Sequence, residues 1–311
     1  GLGAENYDCR SDGAVFDASK RCGYIMNTGI EAIEEADAIL LVGTFPRWEG
    51  TMVNARIRKN WFNKRTPIAS VGEDLDHSYP VTHLGTGPKA LEQLIEGKGD
   101  FAKILKKAEK AMVILGTGVF QRRDGAAIQS QLRTLAETYN MVRDDWNGFN
   151  VLHRDAGRVG ALDVGFVNDS FDLRKSDLLY LLNVDSEIID NIPDDTFVIY
   201  QGHHGDKGAM RADVILPGAA YTEKNATYVN TEGRVQMTQQ AVYPPGNAKE
   251  DWKIVRALSE KNDVTLSYNN LIQLRDRLIK DWPHFGEPDK LPHENWDQFG
   301  DSKAKISTGK A

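Results

Sequence analysis

Two cysteines, Cys9 and Cys22, are the whole thiol inventory of this 311-residue chain. They form no CxxC pair, so thiolates alone can build neither an iron–sulfur cluster nor a zinc site. A chain of this size does not need a disulfide, and two unpaired thiols are expected. No apolar run approaches the roughly 18–20 residues that span a bilayer. The longest, such as Ala38–Val42, suit strands, and any membrane association is expected to go through partners. A basic excess is also missing: the formal net charge of -7 argues against nucleic acid as a partner. No signal peptide or basic presequence is visible. The chain opens on Gly1, and a processed, truncated or longer parent polypeptide is expected.

What is present is ordinary globular material, 41% hydrophobic and 27% charged, enough for sizeable cores and about two domains. Strand-like runs recur at Ala38–Val42, Ile68–Val71, Met112–Leu115, Leu178–Leu182, Phe197–Tyr200 and Val214–Leu216, most of them closed by Gly, Asn or Pro. Runs apolar throughout imply strands covered on both faces. Helical patterns lie between or after them, at Thr51–Phe62, Pro88–Ile95, Phe101–Lys110, Asp124–Tyr139 and Glu250–Lys261. Such alternation predicts an α/β fold, doubly wound, with mainly parallel sheets in two lobes and helices on both faces. The first lobe is expected over 1–110, its exit marked by Gly97-Lys98-Gly99. The second is expected over 111–262, with a Trp-, Gly- and Asp-rich loop at Asn140–Asn150. A helix over Leu271–Ile279 and a polar tail that wraps a surface or orders against a partner fill 263–311.

Several segments could carry chemistry. Gly43-Thr44 and Gly116-Thr117-Gly118 follow strands directly, where glycine lets backbone N–H groups approach a phosphate. Neither completes GxGxxG, and a tight strand-to-helix turn explains both equally well. Gln201-Gly202-His203-His204-Gly205-Asp206 is the most metal-like cluster, but adjacent imidazoles on extended backbone diverge. His77, His83 or His153 would have to complete a site. The segment from Ala212 to Gln236 combines a strand, a polar loop, a carboxylate and a guanidinium. Its Asn230-Thr231-Glu232-Gly233-Arg234 turn could hold a ligand, or could close on itself with Glu232 paired to a cation and Gly233 at positive φ. Asp144, Asp145 and Trp146 read as a solvated loop with an aromatic anchor. Arg56, Arg58, Lys59 and Lys64 form a basic helix face that suits solvent or a subunit contact.

Three blocks carry a resemblance: Glu34 to Thr44, Ile199 to Asp206 and Ala212 to Gln236. Pro244-Pro245-Gly246 followed by Glu250-Asp251-Trp252-Lys253 extends it. Together, from about Cys22 to Glu260, they resemble the molybdopterin oxidoreductases, and more specifically the large iron–sulfur subunits of respiratory complex I (NADH:ubiquinone oxidoreductase). The resemblance implies the C-terminal α/β part of that subunit family, with the first lobe, 1–110, expected to be incomplete at its N-terminus. It implies a structural role in the peripheral arm, supporting NADH-to-ubiquinone electron transfer coupled to proton translocation. No cofactor or metal is expected on this chain, and no catalytic residue. Iron–sulfur clusters and FMN are expected on partner polypeptides, including an iron–sulfur-bearing N-terminal region on the same or a separate chain. The location implied is the matrix side of the mitochondrial inner membrane, or the cytoplasmic side of a bacterial one. Gly43, Thr44, Gly116, Gly118, Gly202, His203, His204, Asn230, Glu232 and Arg234 are the candidates for a vestigial pocket. Two alternatives stand beside this. One is a fragment of a molybdopterin-dependent oxidoreductase such as formate dehydrogenase. The other is an independent nucleotide-binding module using the glycine turns.

Overall fold

The computed structural model describes residue 4 and residues 6–307. The chain forms two compact units, both discontinuous. The larger takes residues 14–160, 229–234 and those from 291 onward; the smaller takes the stretch up to 13, 161–228 and 235–290. This division differs from lobes bounded at 110 and 262.

The larger unit is built on strands β1 (Ala38–Val42), β2 (Ile68–Val71), β3 (Thr82–Gly85), β4 (Ala111–Gly116) and β5 (Phe149–Leu152). Their order is β3-β2-β1-β4-β5 and every pairing is parallel. The boundary expected at 110 falls inside this sheet because β4 pairs with β1 along its length, from Ala38 opposite Ala111 to Val42 opposite Leu115. All five residues of β1 are buried, as expected for a strand covered on both faces. Helix α1 (Thr51–Lys64) buries Val53, Ile57 and Asn60, spaced for one helical face. The two apolar side chains join Ile39, Leu41, Met112 and Ile114 in one core cluster. Asn60 satisfies two loop carbonyls, Ile33 at 2.6 Å and Ala36 at 2.9 Å. The helix stops where Arg65 adopts a left-handed conformation, φ 56°. Helices α2 (Pro88–Ile95), α3 (Asp100–Lys107) and α4 (Gly125–Thr138) lie close to their expected spans.

The loop expected at Asn140–Asn150 holds more order than its composition implied. A short antiparallel pair, Val142–Arg143 with Trp146–Asn147, precedes β5. Trp146 is buried and donates to the Ala111 carbonyl at 2.8 Å, whereas Asp144 and Asp145 are exposed. The tail is likewise part of this unit from 291 onward. Phe299 is 2% exposed and its ring lies 5.1 Å from both Phe149 and Trp296. A Cβ on Gly23 would come within 2.8 Å of that ring, so only glycine fits beneath it. Ion pairs Lys20–Asp297 at 2.6 Å and Arg21–Glu294 at 2.7 Å flank the insertion.

The smaller unit holds a parallel sheet of β6 (Leu178–Leu182), β7 (Phe197–Gly202) and β8 (Val214–Pro217), in the order β8-β7-β6. One face packs Leu179, Leu181, Val198 and Tyr200 against Ile189 and Ile192. The other leaves Leu178, Leu182 and Phe197 about half exposed, at 56%, 47% and 45%. Here the expectation of strands covered on both faces does not hold. A two-stranded sheet follows, β9 (Thr227–Val229) with β10 (Val235–Met237). Helix α5 (Lys207–Arg211) is capped by Asp206, which accepts from the Ala209 amide at 3.1 Å. Helix α6 (Asp251–Lys261) and helix α7 (Leu271–Asp281) complete the unit, α7 capped by Asn270. Among the described residues no helix is long and apolar enough to cross a membrane.

Candidate functional site

In a sheet ordered 3-2-1-4-5, the chain leaves β1 and β4 in opposite directions. The crevice beyond their C-terminal ends is where open α/β sheets hold ligands. The two expected glycine turns, Gly43-Thr44 after β1 and Gly116-Thr117-Gly118 after β4, meet at this point. They meet too closely to leave a cradle. A Cβ on Gly116 would lie 2.5 Å from the Gly43 carbonyl oxygen and 2.5 Å from Thr44 Cβ. One on Gly118 would lie 2.8 Å from the same oxygen. Gly43 itself has φ 54° and sits against Val119, 2.7 Å from its Cγ2 to the Cβ position. These glycines let two backbone segments touch.

The polar groups at the crevice are also engaged. Glu49, in the helical turn Pro46–Glu49, accepts the Thr44 hydroxyl at 2.6 Å and the Phe45 amide at 3.1 Å. A carboxylate of the chain's own thus stands where an anionic ligand would meet those donors. The residues present do not fit a cofactor pyrophosphate at this crevice. Glu49 was not among the sequence candidates, since an acid one turn into a helix reads as ordinary helix-end chemistry.

Asn230, Glu232 and Arg234 close a loop of the larger unit. Asn230 Oδ1 accepts the amides of Glu232 and Arg234, both at 3.0 Å, and the Asn230 amide donates to the Arg234 carbonyl at 3.0 Å. Gly233 has φ 76°, a conformation that favours glycine. The Glu232 carboxylate is 7% exposed and takes three donors: the Ile30 amide at 2.7 Å, Asn230 Nδ2 at 2.9 Å and Arg234 Nε at 3.1 Å. Burial alone would raise its pKa. The bonds from Ile30, Asn230 and Arg234 outweigh burial and hold it below the usual glutamate range. Thr231 extends the lock, its carbonyl accepting from Met26 at 2.7 Å and its hydroxyl donating to Val151 at 2.9 Å.

Gly202, His203 and His204 belong to the smaller unit. The space above Gly202 is filled by the Tyr200 ring, whose hydroxyl would lie 2.1 Å from a Cβ there. That hydroxyl bonds Asp206. His203 and His204 are exposed, with rings 4.5 Å apart, and His203 Nδ1 meets Asn183 Oδ1 at 3.0 Å. His77 and His83 lie in the other unit and join no cluster: among the described residues no group of three or more His, Cys, Asp or Glu could hold a metal. The two cysteines also fall in different units, and burial pushes the Cys22 thiol up, away from the thiolate a metal needs. On the basic face of α1, Arg56 and Lys59 both pair with Glu34, and Lys64 donates to the Glu34 carbonyl at 2.6 Å.

One polar network escaped the sequence reading. Gln201, fully buried, accepts from the Tyr180 hydroxyl and donates to Asp251 Oδ1 at 2.8 Å. The other oxygen of Asp251 pairs with Lys224. The network fixes the end of β7, the start of α6 and the loop before β9 by one continuous set of bonds. Burial, with Asp251 nearby, pushes the Tyr180 phenol up to about 12, so it remains a donor at any physiological pH.

A family model described as molybdopterin oxidoreductase matches residues 1–261. The mitochondrial NADH dehydrogenase (ubiquinone) iron-sulfur protein 1 of Solanum tuberosum is 46% identical over 290 residues, covering 93% of this chain and 39% of that protein. The mitochondrial NADH-ubiquinone oxidoreductase 78 kDa subunit of Candida albicans is 47% identical over 293 residues, covering 93% and 40%. An NADH-quinone oxidoreductase subunit of Rickettsia conorii is 41% identical over 306 residues, covering 98% and 45%. The chain thus spans less than half the length of these relatives. Among solved structures, acetylene hydratase of Pelobacter acetylenicus aligns with TM-score 0.47 at 10% identity, over 82% of this chain and 50% of that one.

Proposed function

Because the chain belongs to the molybdopterin oxidoreductase family, with relatives that are large subunits of complex I, we propose that it is a structural part of a complex I-type NADH:quinone oxidoreductase. It supports NADH-to-quinone electron transfer from the peripheral arm and contributes no reacting group. FMN and iron–sulfur clusters sit on partner polypeptides, with an iron–sulfur-bearing N-terminal region on the same or a separate polypeptide. The location follows: bound to the inner membrane through the assembly, on the mitochondrial matrix side or the bacterial cytoplasmic side.

The observation that carries the reading is identity of 41–47% to those subunits across nearly the whole chain. The switch-point geometry agrees with it. Gly43 and Gly116 touch, and Glu49 already takes the donors a phosphate would use. A molybdopterin enzyme of the formate dehydrogenase kind, or a free nucleotide-binding module, would need that crevice open. Depleting the chain from its host decides between these. The proposal expects loss of assembled NADH:quinone oxidoreductase activity, with no NADH oxidation by the purified chain. Stoichiometric molybdenum and pterin, or saturable NADH or FAD binding, in the purified chain would overturn it.

A further inference from the structure

Arg275, on α7, stands apart from the other partly buried arginines of the smaller unit. Arg10 pairs with Asp8 at 2.6 Å, Arg211 donates to the Pro193 carbonyl at 2.7 Å, and Arg256 pairs with Glu260 at 2.7 Å. The Arg275 Nε is shut off from solvent and has no acceptor among the described residues. A guanidinium cannot shed its charge and presents five N–H donors. Arg275 lines an open cleft of about 450 Å³ together with Asn225, Met237, Thr238, Gln239 and Gln240, so the solvent-reachable part of its guanidinium, not the sealed Nε, is what a ligand there would meet.

The lining is that of an anion receptor. It holds one cation, three carboxamides, a hydroxyl and no acid. Asn225 is oriented by the Gln240 amide, which donates to its Oδ1 at 3.1 Å, leaving Nδ2 as a donor. Thr238 is fixed by the Ala226 amide at 3.0 Å. The guanidinium fork matches the two oxygens of a carboxylate or phosphate, and carboxamide N–H groups complete such a shell. Arg275 lies beyond residue 261, where the family match ends. The other lining residues lie within that match, and none of them is among the glycine-turn residues Gly43, Thr44, Gly116 and Gly118.

We propose that the cleft between Arg275 and Asn225 is a binding site for a small oxyanion, a carboxylate or a phosphate, held by the Arg275 fork and the Asn225 carboxamide. The test titrates the purified chain with sodium succinate and, separately, inorganic phosphate at constant ionic strength, reading the arginine Nε–H resonances by NMR. The Arg275 signal is assigned by its absence in Arg275→Lys. Saturable movement of that signal with succinate names a carboxylate, and with phosphate a phosphoryl group; either supports the site. Asn225→Asp sets an acid beside the guanidinium with no change of shape, and should weaken binding by at least about tenfold. Near-UV circular dichroism identical to the parent shows that the variant is folded. No saturable change with either anion, or unaltered affinity in the folded Asn225→Asp protein, overturns the proposal.

Discussion

Replacing Glu232 with glutamine tests whether the 230–234 loop is a closed structural lock. The carboxylate accepts from Ile30, Asn230 and Arg234 at 2.7, 2.9 and 3.1 Å. Glutamine keeps the shape and one acceptor but turns an NH₂ group toward donors. Hydrogen bonds to a charged group contribute roughly 1.5–3 kcal/mol each, not additively, so Glu232→Gln should cost about 2–3 kcal/mol at pH 7. The pH dependence follows from the direction of the shift. The folded-state pKa lies below that of the unfolded chain, near 4.3 for glutamate. The carboxylate's stabilisation is therefore fully present above about pH 5, and is lost as pH falls through the folded pKa. The gap between parent and variant should close over that range. With two compact units the unfolding need not be two-state. The assay is accordingly native-state hydrogen exchange at the Ile30 and Arg234 amides, alongside urea midpoints at pH 7 and near pH 4. A variant indistinguishable from the parent at pH 7, or a gap that does not shrink on acidification, would refute the reasoning.

Three further substitutions probe other contacts. Gly116→Ala drives a Cβ to 2.5 Å from the Gly43 carbonyl oxygen and should cost about 1–3 kcal/mol. Its control, Gly205→Ala, with nothing within 4 Å of the new Cβ and no positive φ, should leave the urea midpoint unchanged or slightly raised. Phe299→Ala removes a buried ring from between Phe149 and Trp296; a loss of roughly 3–5 kcal/mol and early proteolytic release of the residues after 291 are expected. Asp251→Asn breaks the link from Gln201 to Lys224. At this partly exposed pair it should cost about 2 kcal/mol, read as faster exchange at the amides of β7 and the first turn of α6.

The strands that were legible in the sequence are unbroken apolar runs, whether buried on both faces, as Ala38–Val42, or on one, as Leu178–Leu182. Ala38–Val42 and Ile68–Val71 match their expected ranges because every residue in them is apolar or small. Phe149–Leu152 was hidden by Asn150, a fully buried amide that serves Thr28 at 3.0 Å and 2.9 Å and breaks the apolar run. The lobe boundary was misplaced because Gly97-Lys98-Gly99 and a lysine-rich helix look like an exit, while parallel pairing of β4 with β1 is a long-range fact no local pattern carries. Phe299 is one aromatic in a polar tail, and periodicity has no signal for a single inserted ring. At the site, the internal bonds of Asn230 to Arg234 were readable because they span at most four residues, whereas its bonds to Ile30, Met26 and Val151 were not. Glu49 with Thr44, and Asp251 with Gln201 and Lys224, depend on how distant turns are brought together.

The central claim is that this chain works as a scaffold within an NADH:quinone oxidoreductase. Two-dimensional native electrophoresis of gently solubilised host membranes tests it most directly, with the chain located by immunoblot. The account predicts that the chain migrates with the flavin- and iron–sulfur-containing polypeptides in the band that oxidises NADH. Migration of all of it as a free species, apart from that activity, would contradict the account.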